Sequence, residues 1–479
     1  MRSTPRTAVR WAGPVLAAAL VLPTIAGTAS AQEGPDVGPA GTSLMHGDLA
    51  STDSTPNAGP GPSGRLVASS VPGGVCAATF IGSDGMPVSL CTQYVGVSPL
   101  AFAVPTVKLF DPVTAAPIAS IQLTKGGLLG GVYGYLDARD RVVVADGAGV
   151  VNKVAHRRDA GGGWEMVVDE RVDLSAQIPD ADAITSLAPD YEGGMWFVTT
   201  NGLVGLVAAD GEITTHQLPA GEKLTNGLSV RPGGVSVLTT KALYEMRAGE
   251  AGLDVVWRAP YTAGTVRKPG NLGPGSGTTP TYFGPGGDDW VAIVDDAIKP
   301  ELIVHRSDDG SVVCRMPAFE TSGQGTENSP MAWGNSLVIP STYGFAYPEL
   351  STSGPSDPPQ AEFVGGMTRI DVSDNGCERV WESDDRMATL PKLSTGDGLI
   401  HALAYGPLGS GGSVGSSSSG IQQVGPVYYT AVDFETGERR AQNHVGDAPI
   451  DEPTQLTGTI APDGSLWQAT FGRMLKIGR

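Results

Sequence analysis

One pattern dominates this chain of 479 residues: four short apolar runs, separated by turns rich in Gly, Asp and Asn, recur in units of roughly forty residues. Ile184 to Pro219 is one copy, ITSLAPDYEGGMWFVTTNGLVGLVAADGEITTHQLP. Leu224 to Pro260 and Thr278 to Pro317 are two more. The first two runs flank turns such as Tyr191-Glu192-Gly193-Gly194, and the last two flank Asp210-Gly211 or Asp309-Gly310. The runs are too short for helices and show no helical period; 67 glycines and 37 prolines punctuate them throughout. A single four-stranded sheet cannot bury both of its faces, but a ring of such sheets can, and the ring also hides the inner edges. The expected fold class is therefore all-β: a β-propeller of about seven four-stranded blades, with six or eight also compatible with the count. Leu136 to Val172, Ser329 to Trp381 and Lys392 to His444 supply less regular blades. Val67 to Leu123 supplies N-terminal strands, and the closing GTIAPDGSLWQATFGRMLKIG supplies two that would complete the N-terminal blade and close the ring.

The chain divides into three stretches. Residues 1–31 read as a signal peptide for the general secretory route. Arg2, Arg6 and Arg10 form the basic start, Val15 to Val21 the apolar core, and Ala29-Ser30-Ala31 the cleavage site. Residues 32–64, rich in Gly, Pro, Ser and Thr, read as a flexible segment. Residues 65–479 form the propeller. No later apolar run is long enough to span a membrane. The formal charge of −19 opposes binding to nucleic acid or anionic lipid. The four cysteines, Cys76, Cys91, Cys314 and Cys377, suit two disulfides in an exported protein. Three pairings are open; Cys76–Cys91 would staple a local hairpin and Cys314–Cys377 would tie neighbouring units.

Several blades resemble repeats of known propeller families. GGMWFVTTNGLVGLVAADGEITTHQLP is similar to a streptogramin-lyase repeat. YYTAVDFETGERRA, Tyr428 to Ala441, resembles quinoprotein-like (PQQ-like) repeats. TNGLSVRPGG, Thr225 to Gly234, resembles the asparagine-bearing strand of SMP-30/gluconolactonase and strictosidine-synthase-like propellers. Each match covers one blade at most. The gluconolactonase-like resemblance implies that Asn226 would bind a divalent metal, although the Asp-Gly segment that normally follows with another ligand is not found. The catalytic His and Glu of streptogramin lyases have no match here. The adjacent cysteine pair of quinoprotein alcohol dehydrogenases is also missing, so a quinone cofactor is not expected.

In a propeller the connections that precede the innermost strand and those between the second and third strands open on one face. Glu327 and Asn328 precede an innermost strand and would point into the funnel, since an unpaired carboxylate in a core is costly. Thr278, Thr279 and Lys392 occupy the equivalent point of other blades, and Asp295-Asp296 forms a second-to-third-strand turn. The candidate ligand-binding set is Asn226, Thr278, Thr279, Asn328 and Lys392. Asp295, Asp296 and Glu327 are candidates for catalysis, and with Asn226 for a hard cation such as Ca²⁺. The competing reading is local, because Asp and Asn also serve turns and strand starts. Lys268 to Pro280 is a Gly-rich connection with no nucleotide-binding pattern. Two long insertions, FAYPELSTSGPSDPPQAEFVGG from Phe345 to Gly366 and the one from Pro407 to Gly425, fall on one face, where repeat proteins concentrate binding.

The leading expectation is a secreted, monomeric ligand- or partner-binding module, recognising a small molecule or an extracellular protein. A metal-dependent hydrolase or lyase with its site in the funnel mouth is the alternative, and a structural cell-envelope scaffold a further one.

Overall fold

The computed structural model describes residue 1 and residues 36–95, 101–125, 133–320, 325–407 and 424–479. The expected signal peptide, and most of the insertion from Pro407 to Gly425, lie outside the described residues. Eight sheets follow one another along the chain. Their innermost strands are Val75–Ile81, Tyr135–Leu136, Ile184–Pro189, Ser229–Arg231, Thr281–Phe283, Met331–Trp333, Lys392–Ser394 and Gly458–Ile460. We number the blades one to eight in that order. Within blades one to seven the four strands run antiparallel from the axis outwards.

The ring thus has eight blades rather than about seven. The residues from Arg65 to Gln122 contain five strands, not the tail of a single shared blade. Arg65–Ser70 is the outermost strand of blade eight, pairing with Met474–Gly478, while Val75–Ile81 to Pro117–Gln122 make blade one complete. Both chain ends do close the ring, with three strands from the C-terminal end and one from the N-terminal side.

Burial follows the radial order. The second strand of blade three, Met195–Thr199, is buried at every position, while its outermost strand, Ile213–Gln217, is partly exposed throughout. The apolar clusters lie between blades: one joins Trp196 and Leu206 of blade three to Val235 and Tyr244 of blade four. Two tryptophans act as staples between outer strands. Trp257 donates to the Ser307 carbonyl at 2.8 Å, and Trp381 donates to the Phe434 carbonyl at 2.9 Å. Each ring lies on a turn glycine of the next blade. A Cβ on Gly310 (φ +71°) or Gly437 (φ +70°) would stand 2.7 Å from the indole, so no side chain fits at either position.

Both disulfides form as expected. Cys76 and Cys91 face each other on the first two strands of blade one, and Cys314–Cys377 links the outermost strands of blades five and six. Two disulfides, and the absence among the described residues of a helix long and apolar enough to cross a membrane, are compatible with an extracellular protein.

The segment expected to be flexible departs most from its composition. From Ser43 to Thr55 it is threaded through the centre of the ring, and by Gly61 to Gly64 it has reached the outer strands of blade seven, where Tyr429 donates to the Gly61 carbonyl and Asn443 to those of Pro62 and Gly64. The innermost strands donate to it in succession: Leu136 N–H to the Ser43 carbonyl, Val230 N–H to Leu49, Tyr282 N–H to Ala50, Ala332 N–H to Thr52 and Leu393 N–H to Asp53. Ser54–Thr55 then pairs in parallel with Lys392–Ser394. The inner edges of these blades would otherwise face the axis with unpaired N–H groups; this segment satisfies them. Leu49 and Ala50 are buried, and Leu49 joins the cluster between blades three and four.

Candidate functional site

A cavity of about 180 Å³ lies at one mouth of the channel. Its floor is the threaded segment, at Met45 and His46. Its walls come from connections that precede innermost strands: Thr225, Gly277 and Thr279, then Glu327, Asn328 and Ser329, then Thr454 and Gln455. Its roof is formed by Leu272 of the Gly-rich connection and by Tyr347, Pro348 and Ser351 of the insertion in blade six. The expectation that this insertion and these connections share one face holds in the geometry.

The Gly-rich connection is pinned rather than loose. The Thr342 hydroxyl donates to the Gly270 carbonyl at 2.7 Å, and Ser353 N–H donates to the Leu272 carbonyl at 2.7 Å. Glu327 receives Leu272 N–H on Oε2 at 3.0 Å. Gly277 passes directly over that carboxyl; a Cβ there would lie 2.4 Å from Oε2, so the close approach requires glycine.

Burial pushes the Glu327 carboxyl up to about 8; Asp296 adds to this, while the Leu272 N–H and Arg267 oppose it. The Tyr133 hydroxyl is raised by burial and by Glu327, and Tyr347 is raised in the same way. A carboxyl that carries its proton at neutral pH can donate a hydrogen bond, and loses the proton when a positive charge arrives.

Below it runs a chain of polar contacts. His46 Nδ1 is 2.8 Å from Asp53 Oδ2, and His46 Nε2 is 3.1 Å from Thr279 Oγ1. Lys392 Nζ donates to Asp53 Oδ1 at 2.5 Å and to the Met45 carbonyl at 2.6 Å. Thr279 Oγ1 also accepts Gly227 N–H at 3.2 Å, and its side chain meets the Tyr133 hydroxyl. Burial would raise Asp53, but His46 and Lys392 outweigh it and hold the carboxyl below its usual range.

The residues singled out in the sequence therefore separate into two groups. Glu327, Asn328 and Thr279 line the cavity, with Asn328 donating to Gln455 Oε1 at 2.9 Å. Lys392 lies beneath it as the partner of Asp53. The rest do not line the cavity. Asn226 donates to the carbonyls of Ser276 and Thr278 at 3.0 and 3.2 Å, tying two connections together, and the Thr278 hydroxyl meets Ser276 Oγ at 2.9 Å. Asp296 pairs with Lys268 at 3.0 Å and accepts Gly264 and Gly275 N–H. Asp295 accepts Ala297 and Glu301 N–H within its own turn, and burial raises it. Of the four groups considered for a cation, Glu327 alone lines the cavity; Asn226 and Asp296 are held by the contacts just given, and Asp295 lies in its own turn with Oδ2 buried and, among the described residues, without a hydrogen-bond partner. Among the described residues no three His, Cys, Asp or Glu side chains are grouped to hold a metal ion.

His46, Asp53, Tyr133 and Tyr347 were not among the sequence candidates. The apolar pairs Leu44-Met45 and Leu49-Ala50, which flank His46 in an otherwise polar stretch, are the signal that marks this segment as core.

No protein-family profile matches the chain, so the blade-level resemblances have no counterpart there. A protein of Archaeoglobus fulgidus described as uncharacterized is 31% identical over 322 residues, covering 61% of this chain and 60% of that protein. The chain therefore spans less than two thirds of that relative's length. Among solved structures, BamB from Moraxella catarrhalis is similar over 71% of this chain and 85% of its own, at 14% identity and a TM-score of 0.39. The β-propeller domain of Myceliophteria thermophila Cps50 (Swd1) is similar over 87% and 99%, at 10% identity and a TM-score of 0.42. The computationally designed Ika8 protein is similar over 86% and 99%, at 11% identity and a TM-score of 0.46. The propeller architecture itself rests on the eight sheets and their strand order.

Proposed function

We propose that this chain is an extracellular ligand-binding module whose ligand is a small molecule held in the axial cavity. One observation carries the reading: a roofed cavity of about 180 Å³, lined mainly by apolar groups, into which a few polar side chains converge at the mouth of the channel. Concave, largely apolar sites with few placed polar groups are the usual form of a small-molecule site. The binding face of a propeller is built from loops, and here the loops are pinned to one another, so the site is formed in advance and little ordering cost opposes binding.

The test is a thermal-shift screen of residues 32–479 against a library of soluble metabolite-like compounds. It is run in parallel on Ala77→Trp, which fills the cavity from its wall. Compounds that raise the melting temperature of the unaltered protein are expected to have no effect on the filled variant, provided that it keeps a cooperative transition of its own. Equal rises in both proteins, or no rise across the library, would count against the cavity as the binding site.

A further inference from the structure

We propose that the ligand of this cavity is a small organic cation with an apolar body, a quaternary or primary ammonium, paired with Glu327. The proposal rests on the reading of the cavity as a ligand site and specifies its chemistry.

Among the described residues the lining contains the Glu327 carboxyl and no Lys or Arg. Glu327 makes no ion pair among the described residues, and Leu272 N–H occupies only Oε2, leaving Oε1 without a protein partner there. The charged groups around it are already engaged. Arg267, on the strand-to-roof connection, donates to the carbonyls of Gly354 and Asn271. Lys268 holds Asp296. On the floor, His46 is tied to Asp53 and Thr279, and Lys392 to Asp53. The described residues therefore supply no direct counter-ion for a Glu327 carboxylate.

An ionised carboxylate in apolar surroundings is costly, and without a partner the group takes up a proton instead. A ligand cation removes that cost and replaces the proton. Two tyrosines, Tyr133 and Tyr347, line the same space, and their ring faces attract positive charge. Met45, Val75, Ala77, Leu272 and Leu390 provide apolar contact for the body of the ligand. A divalent ion is served less well, because among the described residues no three His, Cys, Asp or Glu side chains are grouped to hold one, and Glu327 is the one carboxyl among the described lining residues. An anion would meet a carboxyl with no opposing base.

The test compares two probes by calorimetric titration of residues 32–479 between pH 6 and 9. Benzyltrimethylammonium keeps its charge at every pH; 2-phenylethanol is a neutral aromatic of similar bulk. If Glu327 must ionise to pair with the cation, binding expels one proton below its raised titration point. The affinity of the ammonium is then expected to rise about tenfold for each step of one in pH from 6 towards 8 and to level above it. Titrations in buffers of different ionisation heat should register the released proton. Glu327→Gln, checked for an unchanged folded spectrum, should lose the pH dependence and at least tenfold in affinity at pH 8.5. Binding of phenylethanol but not of the ammonium would overturn the cation class while leaving the ligand-site reading intact. Ammonium binding that is insensitive to pH, or retained in Glu327→Gln, would overturn the pairing with Glu327. No binding of either probe overturns the cation proposal, and if the thermal-shift screen is also silent, it removes the cavity reading with it.

Discussion

His46 Nδ1 lies 2.8 Å from Asp53 Oδ2, and both residues belong to the segment threaded through the channel. Asp53 is fully buried and also holds Lys392, so one carboxylate joins the threaded segment to the innermost strand of blade seven. Asp53→Asn removes the charge that neutralises a buried ammonium. Breaking one partner of such a pair typically costs roughly 3–5 kcal/mol, because the remaining charge is left unpaired. Urea unfolding at pH 7 should show this loss, and Asp53→Asn combined with Lys392→Met should recover part of it. The pH sign follows from the lowered carboxyl: its stabilisation is present above the ordinary value of 3.8 and is lost as pH falls through the lower folded value. Asp53→Asn should therefore lack that component of acid unfolding.

Leu49→Ala tests whether the axial stretch, residues 43–55, belongs to the core. Leu49 is 2% exposed and packs between blades three and four. Truncating a buried leucine costs about 2–5 kcal/mol. A loss in that range by chemical denaturation is expected; a change near zero would show a segment that only rests against the ring.

Glu327→Gln should invert the usual effect of losing a carboxylate. The folded carboxyl titrates at about 8 against an ordinary value of 4.5. The folded state therefore binds more protons than the unfolded state between those values, and stability falls as pH rises through that window. Each tenfold difference in proton affinity between the two states is worth about 1.4 kcal/mol, so the loss is on the order of a few kcal/mol by pH 8.5. Glutamine keeps an acceptor for Leu272 N–H and cannot ionise. The variant should melt close to the unaltered protein at pH 5 and above it at pH 8.5, in the absence of ligand. Glu452, raised by burial to about 7, contributes a slope of the same sign in both proteins and cancels in the comparison.

The two disulfides should differ in worth. Cys76–Cys91 spans 15 residues and Cys314–Cys377 spans 63. Loop-closure entropy assigns them roughly 3 and 4 kcal/mol respectively. Double serine variants at each pair, compared by guanidinium unfolding, should rank in that order. Equal or reversed losses would show that packing around the sulfurs outweighs chain entropy.

Much of the architecture was legible because a blade is a local object. Its strands are consecutive, its turns carry their own Gly and Asp signals, and the alternation of runs and turns survives without neighbours. The pairing of Cys314 with Cys377 was legible for the same reason, since both lie in the outermost strands of consecutive blades. Blade number was less so. Arg65–Ser70 looks like any other strand, and only its pairing with Met474–Gly478, across nearly the whole chain, assigns it to blade eight and leaves a full blade behind it.

The site divides along the same line. Glu327, Asn328 and Thr279 could be placed near the mouth because their position before an innermost strand defines a face and a depth. The residues from Ser43 to Thr55 could not, because their partners are the inner strand edges supplied by the rest of the ring, and a Gly- and Ser-rich composition is what both a free linker and a segment confined to a narrow channel require. Charge partnership lay further out of reach. Asp296 and Glu327 are both carboxyls in loops on one face, yet among the described residues Lys268 reaches one and no base pairs with the other. That difference arises from where distant loops come to rest against each other, because burial and Coulomb interaction depend on distances in space and not on separation along the chain.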